Sequence, residues 1–154
     1  MRISSKGRLA LEACLVLTDA YMKDERMSVL KVADHLKSSK VYMEQIFTLL
    51  KKSDTVISVK GSGGGYYLSK EPEQLLIYDI LKPIESGVFE EITFSQEGRQ
   101  SGEEMSKKDI FSALDTCLYQ KIDEEMKRLL LSISLKDIYD RYLEEKDDGY
   151  MFYI

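Results

Sequence analysis

The 154-residue sequence predicts a mainly α fold with one small β-hairpin: a winged helix-turn-helix domain followed by a long C-terminal dimerisation helix. Three observations lead there. Three serine-led helical patterns share residues 4–52, separated by short polar connections. A β-branched stretch, a glycine-rich turn and an aromatic stretch follow at once, in the order strand, turn, strand. The charge also divides: residues 1–70 carry 12 Lys and Arg against 7 Asp and Glu, and residues 71–154 carry 10 against 20. A net charge of −5 therefore hides a basic module suited to a polyanion and an acidic module suited to something else.

The first pattern is led by Ser4 or Ser5, with Leu9, Ala13, Val16, Leu17 and Ala20 on one face, which predicts a helix over residues 6–21. Its acid at Glu12 and its helical alternation mark an amphipathic helix and not a signal peptide, so a cytoplasmic location is expected. Ser28 leads "VLKVADHLK", and Ser39 leads "KVYMEQIFTLLKK", whose Met43, Ile46, Phe47 and Leu50 form an apolar face. Two short helices across a tight polar turn match a helix-turn-helix. "TVISVK" and "YYLSK" are the predicted hairpin strands. These elements make residues 1–72 the DNA-binding domain, with linker, dimerisation helix and tail in residues 73–154.

In the acidic part, "LLIYDILKPIES" predicts a helix that Pro83 ends or kinks, and residues 87–106 predict a loop. A long helix is predicted over residues 107–131. Ile110, Leu114, Leu118, Ile122, Met126 and Leu129 line one side of it. So long a stripe, with little domain left to cover it, suits burial against a second copy of the chain. "SLKDIYDRYLEEK" predicts a last short helix, and "DDGYMFYI" a tail.

The run "VKGSGGGYYLSK" places four glycines in five positions. A P-loop would need Lys-Ser/Thr after its last glycine, and the dinucleotide fingerprint would need glycine where Tyr66 stands. The stretch that follows is also β-like, not helical. The loop is therefore read as a hairpin tip, open enough for a phosphodiester to approach, with Lys60 reaching toward it.

"MRISSKGRLAL", "VYMEQIFTLLKK", "SVKGSGGGYYLSK" and "LLLSISLKDI" together resemble signatures of the Rrf2 family of bacterial transcription regulators. The resemblance implies a homodimeric repressor that reads palindromic operators, with the long helix crossing to the partner. The closing "DGYMFYI" is similar to the end of that family's cysteine-metabolism repressors. That likeness implies control of cysteine and sulfur metabolism through cysteine synthase, with Tyr150, Met151, Phe152, Tyr153 and Ile154 as the docking tail. Cluster-binding members of the family carry three cysteines between wing and long helix. Here residues 71–112 contain none, so no cofactor is expected. The chain departs from the family pattern at Asp54-Thr55, where Gly-Leu is usual, and at Lys60, Ser38 and Pro83.

Base-reading side chains come from the first turns of a recognition helix, which selects Ser39, Lys40, Tyr42, Glu44 and Gln45. Arg2, Lys6, Arg8, Lys51 and Lys60 are the phosphate candidates. Ser4 and Ser5 join them at a helix N-terminus, and Gly61, Ser62 and Gly63 at the loop. Cys14 and Cys117 are expected in the core and the single His35 as structural, leaving no metal site and no catalytic constellation. The alternative reading is a regulator that senses a small molecule or thiol oxidation directly.

Overall fold

The computed structural model describes residues 3–85 and 107–151, and of residues 148–151 the backbone alone. Arg2, the loop predicted over residues 87–106, and Phe152, Tyr153 and Ile154 lie outside these residues. Helices α1 (Ser5–Met22), α2 (Val29–His35) and α3 (Lys40–Lys52) precede strands β1 (Val56–Val59) and β2 (Gly65–Leu68). A 3-10 turn (Pro72–Gln74) leads to α4 (Ile77–Leu81), which ends two residues before Pro83. Beyond the gap, α5 (Lys107–Leu114), a π-helical turn (Asp115–Tyr119) and α6 (Gln120–Leu131) follow without a break, and α7 (Leu135–Met151) comes last.

The first three helices start alike. Ser4 Oγ accepts from Gly7 N–H at 3.0 Å, Ser28 Oγ from Lys31 N–H at 3.2 Å and Ser39 Oγ from Tyr42 N–H at 3.2 Å. They also stop alike. Asp24, Lys37 and Asp54 take φ near +53°, +52° and +53°, just past each helix. The next amide then donates back five residues: Glu25 to Ala20, Ser38 to Ala33 and Thr55 to Leu50, each at 2.9 Å. This is the Schellman closure, made here without glycine.

Tight closures let α1, α2 and α3 converge on one core. Ala10, Ala13, Cys14 and Leu17 of α1 meet Val32 and Ala33 of α2 and Met43, Ile46, Phe47 and Leu50 of α3. Val56 and Leu68 cap that core from the hairpin, whose antiparallel register pairs Val56 with Leu68 and Val59 with Gly65. Leu75, Ile77, Ile80, Leu81 and Leu135 join the same cluster from beyond residue 72. Tyr66 pins the hairpin to the loop before α2: Met27 N–H donates to the Tyr66 carbonyl at 3.0 Å, and Tyr66 N–H returns to Met27 at 2.7 Å. Phe47 meets the Tyr66 ring edge-on at 4.5 Å.

Two expectations need correction. Cys14 is buried, but Cys117 is exposed, because among the described residues α5, the π turn and α6 bury no side chain fully. The last helix is longer than predicted and runs to Met151, so Tyr150 and Met151 are helical and not tail. Gly149 disfavours a helix by about 1 kcal/mol, too little to end one that is already propagating. Ser134 and Asp137 begin that helix with a reciprocal cap. Ser134 N–H donates to Asp137 at 2.8 Å, and Asp137 N–H donates to Ser134 Oγ at 3.1 Å.

Candidate nucleic-acid interface

Helix α3 buries Met43, Ile46, Phe47 and Leu50, and its opposite side carries Val41, Gln45, Thr48 and Lys52, all exposed. The spacing i, i+4, i+7, i+11 sets these four along one outward row. Ser39, Lys40, Glu44 and Gln45 are exposed as base reading requires, whereas Tyr42 is half-buried and packs against the core. Lys40 Nζ lies 3.4 Å from Glu44 Oε1, one helical turn on. Both ends of that pair are more than half exposed, so it orients Glu44 more than it stabilises the fold. Ser39 is committed to capping α3.

The hairpin tip is built for close approach. Gly61 has φ +114°, a conformation that side chains rarely adopt, and a Cβ on Gly64 would stand 2.4 Å from the Val59 carbonyl oxygen. Gly61, Ser62, Gly63 and Lys60 are exposed. Lys51 Nζ donates to Ser58 Oγ at 2.9 Å, tying the C-terminal end of α3 to β1 and holding its ammonium beside the hairpin.

At the start of α1, Ser5 and Arg8 are exposed and Lys6 is half-exposed; Arg8 reaches Ser5 Oγ at 3.4 Å. Ser4 is already engaged. Its N–H and Oγ both donate to Glu85 Oε1, at 2.9 and 2.6 Å. In a capping box the carboxylate comes from the third helical residue. Here that position is Gly7, and a Cβ there would fall 2.1 Å from the Glu85 oxygen. A side chain from 78 positions along the chain thus completes the cap and meets the positive end of the helix dipole.

Sequence reasoning missed Glu85, because nothing local joins it to α1. It also missed Arg26, whose guanidinium lies 5.7 Å from the centre of the Tyr67 ring and adds a cation at the base of the hairpin. That placement follows from the Met27–Tyr66 bridge and has no sequence signal of its own.

Ile110, Leu114, Leu118, Ile122 and Leu129 are between 41% and 59% exposed, and Met126 is half-buried. In a regular α-helix, residues four apart drift round the axis by about 40° per step. The wider π turn at Asp115–Tyr119 slows that rotation between Leu114 and Ile122 and straightens the stripe.

A cavity of about 470 Å³ lies between α1, α2 and α7. Leu15, Val16, Ala20 and Leu36 supply apolar lining, with Asp19, Tyr139 and Lys146 among its polar groups. Lys23 lies 2.6 Å from the Asp19 carboxylate, and Tyr139 donates to it at 2.8 Å; together, Lys23 foremost, they hold Asp19 below the usual carboxylate range. Burial and the Asp19 hydrogen bond push the Tyr139 phenol up to about 12. His35, expected as structural, is exposed on this cavity.

The thiolate set for a metal centre is not there. The whole chain has two cysteines and one histidine, Cys14 is enclosed in the core, and no group of three His, Cys, Asp or Glu ligands forms among the described residues. Neither a Cys₃ nor a Cys/His cluster fits this donor set.

Comparison with known proteins supplies the context. The sequence model of the Rrf2 family, described as iron-dependent transcriptional regulator, matches residues 3–141. The HTH-type transcriptional regulators IscR of Photorhabdus laumondii and of Yersinia enterocolitica are each 28% identical over 138 residues. In both, the match covers 90% of this chain and 79% of the relative. Among solved structures, T. potens IscR superposes with a TM-score of 0.68 at 24% identity, over 99% of this chain and 96% of that one. CymR, the global cysteine regulator of B. subtilis, superposes at 0.66 and 24% identity, over 92% and 98%. At such identity the two structures attest the fold. No helix among the described residues is long and apolar enough to cross a membrane.

Proposed function

This chain belongs to the Rrf2 family of transcriptional regulators, and from that premise we propose that it is a homodimeric repressor of palindromic operator DNA. Residues 1–72 engage the duplex, and residues 73–154 assemble the dimer and receive the signal. The observation that carries the reading is the outward side of α3. It is exposed, polar except for Val41 and free of the core, and it ends beside a basic, glycine-opened hairpin.

In this reading Lys40, Glu44 and Gln45 meet base edges, with Ser39 and Tyr42 setting the entry of the helix. Gln45 pairs with adenine, and Glu44 accepts from cytosine N4. Lys51, Lys60 and the Gly61–Ser62–Gly63 tip hold phosphates, joined by Arg2, Ser5, Lys6 and Arg8 from the N-terminal segment. Ser4 contributes only where a phosphate displaces Glu85. The test compares two variants on selected and random duplexes. Glu44→Ala narrows the gap between them, whereas Lys60→Ala weakens both alike and lowers the salt slope by about 1. Equal losses on both duplexes from both variants would refute the division between reading and positioning.

Two copies pair through Ile110, Leu114, Leu118, Ile122, Met126 and Leu129. The signal in this reading is protein-borne. With no thiolate set for a cluster, cysteine synthase binds the C-terminal Tyr150, Met151, Phe152, Tyr153 and Ile154, and the regulon is cysteine and sulfur metabolism. Titrating the DNA complex with cysteine synthase, with and without the last four residues, checks this: truncation removes the partner's effect. The 470 Å³ cavity favours a second reading, direct sensing of a small molecule held between the DNA-binding helices and α7. A metabolite response that survives tail truncation and is lost when Val16→Trp fills the cavity would favour the second.

A further inference from the structure

Val41 is 66% exposed, more than any other large hydrophobic side chain among the described residues. A lone exposed apolar residue is ordinary on a protein surface. This one sits in the first turn of α3, at the head of the outward row it forms with Gln45, Thr48 and Lys52. Valine is also a weak helix former in an exposed position, since its branched side chain loses rotamer freedom there. Among the described residues nothing uses its side chain: the α3 cap is made by Ser39, the nearby ion pair by Lys40 and Glu44, and the core by the opposite side.

A rigid, two-methyl side chain between polar neighbours has one apolar counterpart in a major groove, the 5-methyl of thymine, which distinguishes T·A from every other base pair there. We propose that Val41 is a specificity-determining residue that reads a thymine methyl in each half-site. The inference rests on α3 being the recognition helix. It adds an apolar discriminator to the polar pairs of Gln45 and Glu44. Val41 and Gln45 are one helical turn apart on the same row, so the thymine lies near the adenine that Gln45 pairs with.

The experiment uses the full-length chain and a duplex enriched from random sequence. Each thymine in turn is replaced by deoxyuridine, which removes only the 5-methyl. One thymine per half-site is expected to show a loss of about fourfold with the wild-type protein, the size of one buried methyl. Val41→Ala, whose exposed position spares the fold, is expected to bind the thymine and deoxyuridine duplexes equally. Val41→Thr retains one methyl and is expected to keep part of the discrimination. A flat deoxyuridine series with the wild type, or a loss that persists undiminished in Val41→Ala, would overturn the inference and leave DNA reading by α3 intact. Failure to enrich any duplex would overturn the recognition-helix reading itself, and this proposal with it.

Discussion

The two cysteines show how burial decides chemistry one residue at a time. Cys14 packs among Ala10, Leu17 and Met43 in a closed core, and desolvation pushes its thiol up to about 12. Burial disfavours a thiolate there, so Cys14 is expected to be inert toward oxidants in the native state. Cys117 stands exposed in the π turn, immediately before Leu118. A native-state titration with an aromatic disulfide reagent is therefore expected to find one fast thiol per chain. The second appears only after denaturation, and Cys117→Ser removes the fast one. Two fast thiols would mean that α1 opens readily, and none would mean that another surface covers the π turn. Sensing of oxidants, where it occurs, falls to Cys117 alone.

Helix ends carry the next lesson. Lys37 and Asp54 close α2 and α3 in the left-handed region, where a Cβ is a steric burden and glycine is at ease. Lys37→Gly is expected to stabilise the fold by about 0.5–1 kcal/mol, net of glycine's extra freedom when unfolded. In a domain of this size that raises Tm by roughly 1–4 °C. A lower Tm would show that the Lys37 side chain makes a contact that outweighs the relief. The serines that start these helices were legible in the sequence because Ser4, Ser28 and Ser39 each precede an apolar period. The stops were not, since Lys37 and Asp54 carry no glycine signal and their closure is a backbone event. The π turn was equally silent: four-residue spacing reads as plain α-helix, and only the traced backbone shows the slower rotation that keeps Leu114, Leu118 and Ile122 together. At the candidate interface, the exposure of Lys40, Glu44, Gln45 and the hairpin tip was legible from helix phase and glycine content. Glu85 and Arg26 were not, because their places depend on contacts made across the fold.

At the scale of the whole molecule, the charge division and the apolar stripe bear on one another. Residues 71–154 carry a net −10, which repels a duplex, while residues 1–70 at +5 attract it, so the molecule's own field would turn the proposed DNA-binding half toward its target. Five large aliphatic side chains left 41–59% exposed along α5, the π turn and α6 form a surface that a second copy can cover by pairing like with like. In the proposed dimer such pairing would set two α3 helices on successive half-sites, and binding of the second would then be intramolecular. Leu118→Glu places a carboxylate in the middle of that stripe without touching the core. It is expected to yield a monomer by sedimentation velocity with helical content unchanged. On a palindromic duplex the affinity falls about 10²-fold or more, and on a single half-site it stays near the wild-type value. A variant that remains dimeric would place the interface elsewhere. A monomer that holds the palindrome as tightly as the wild type would show that the two half-sites are read independently, and that the stripe serves another partner.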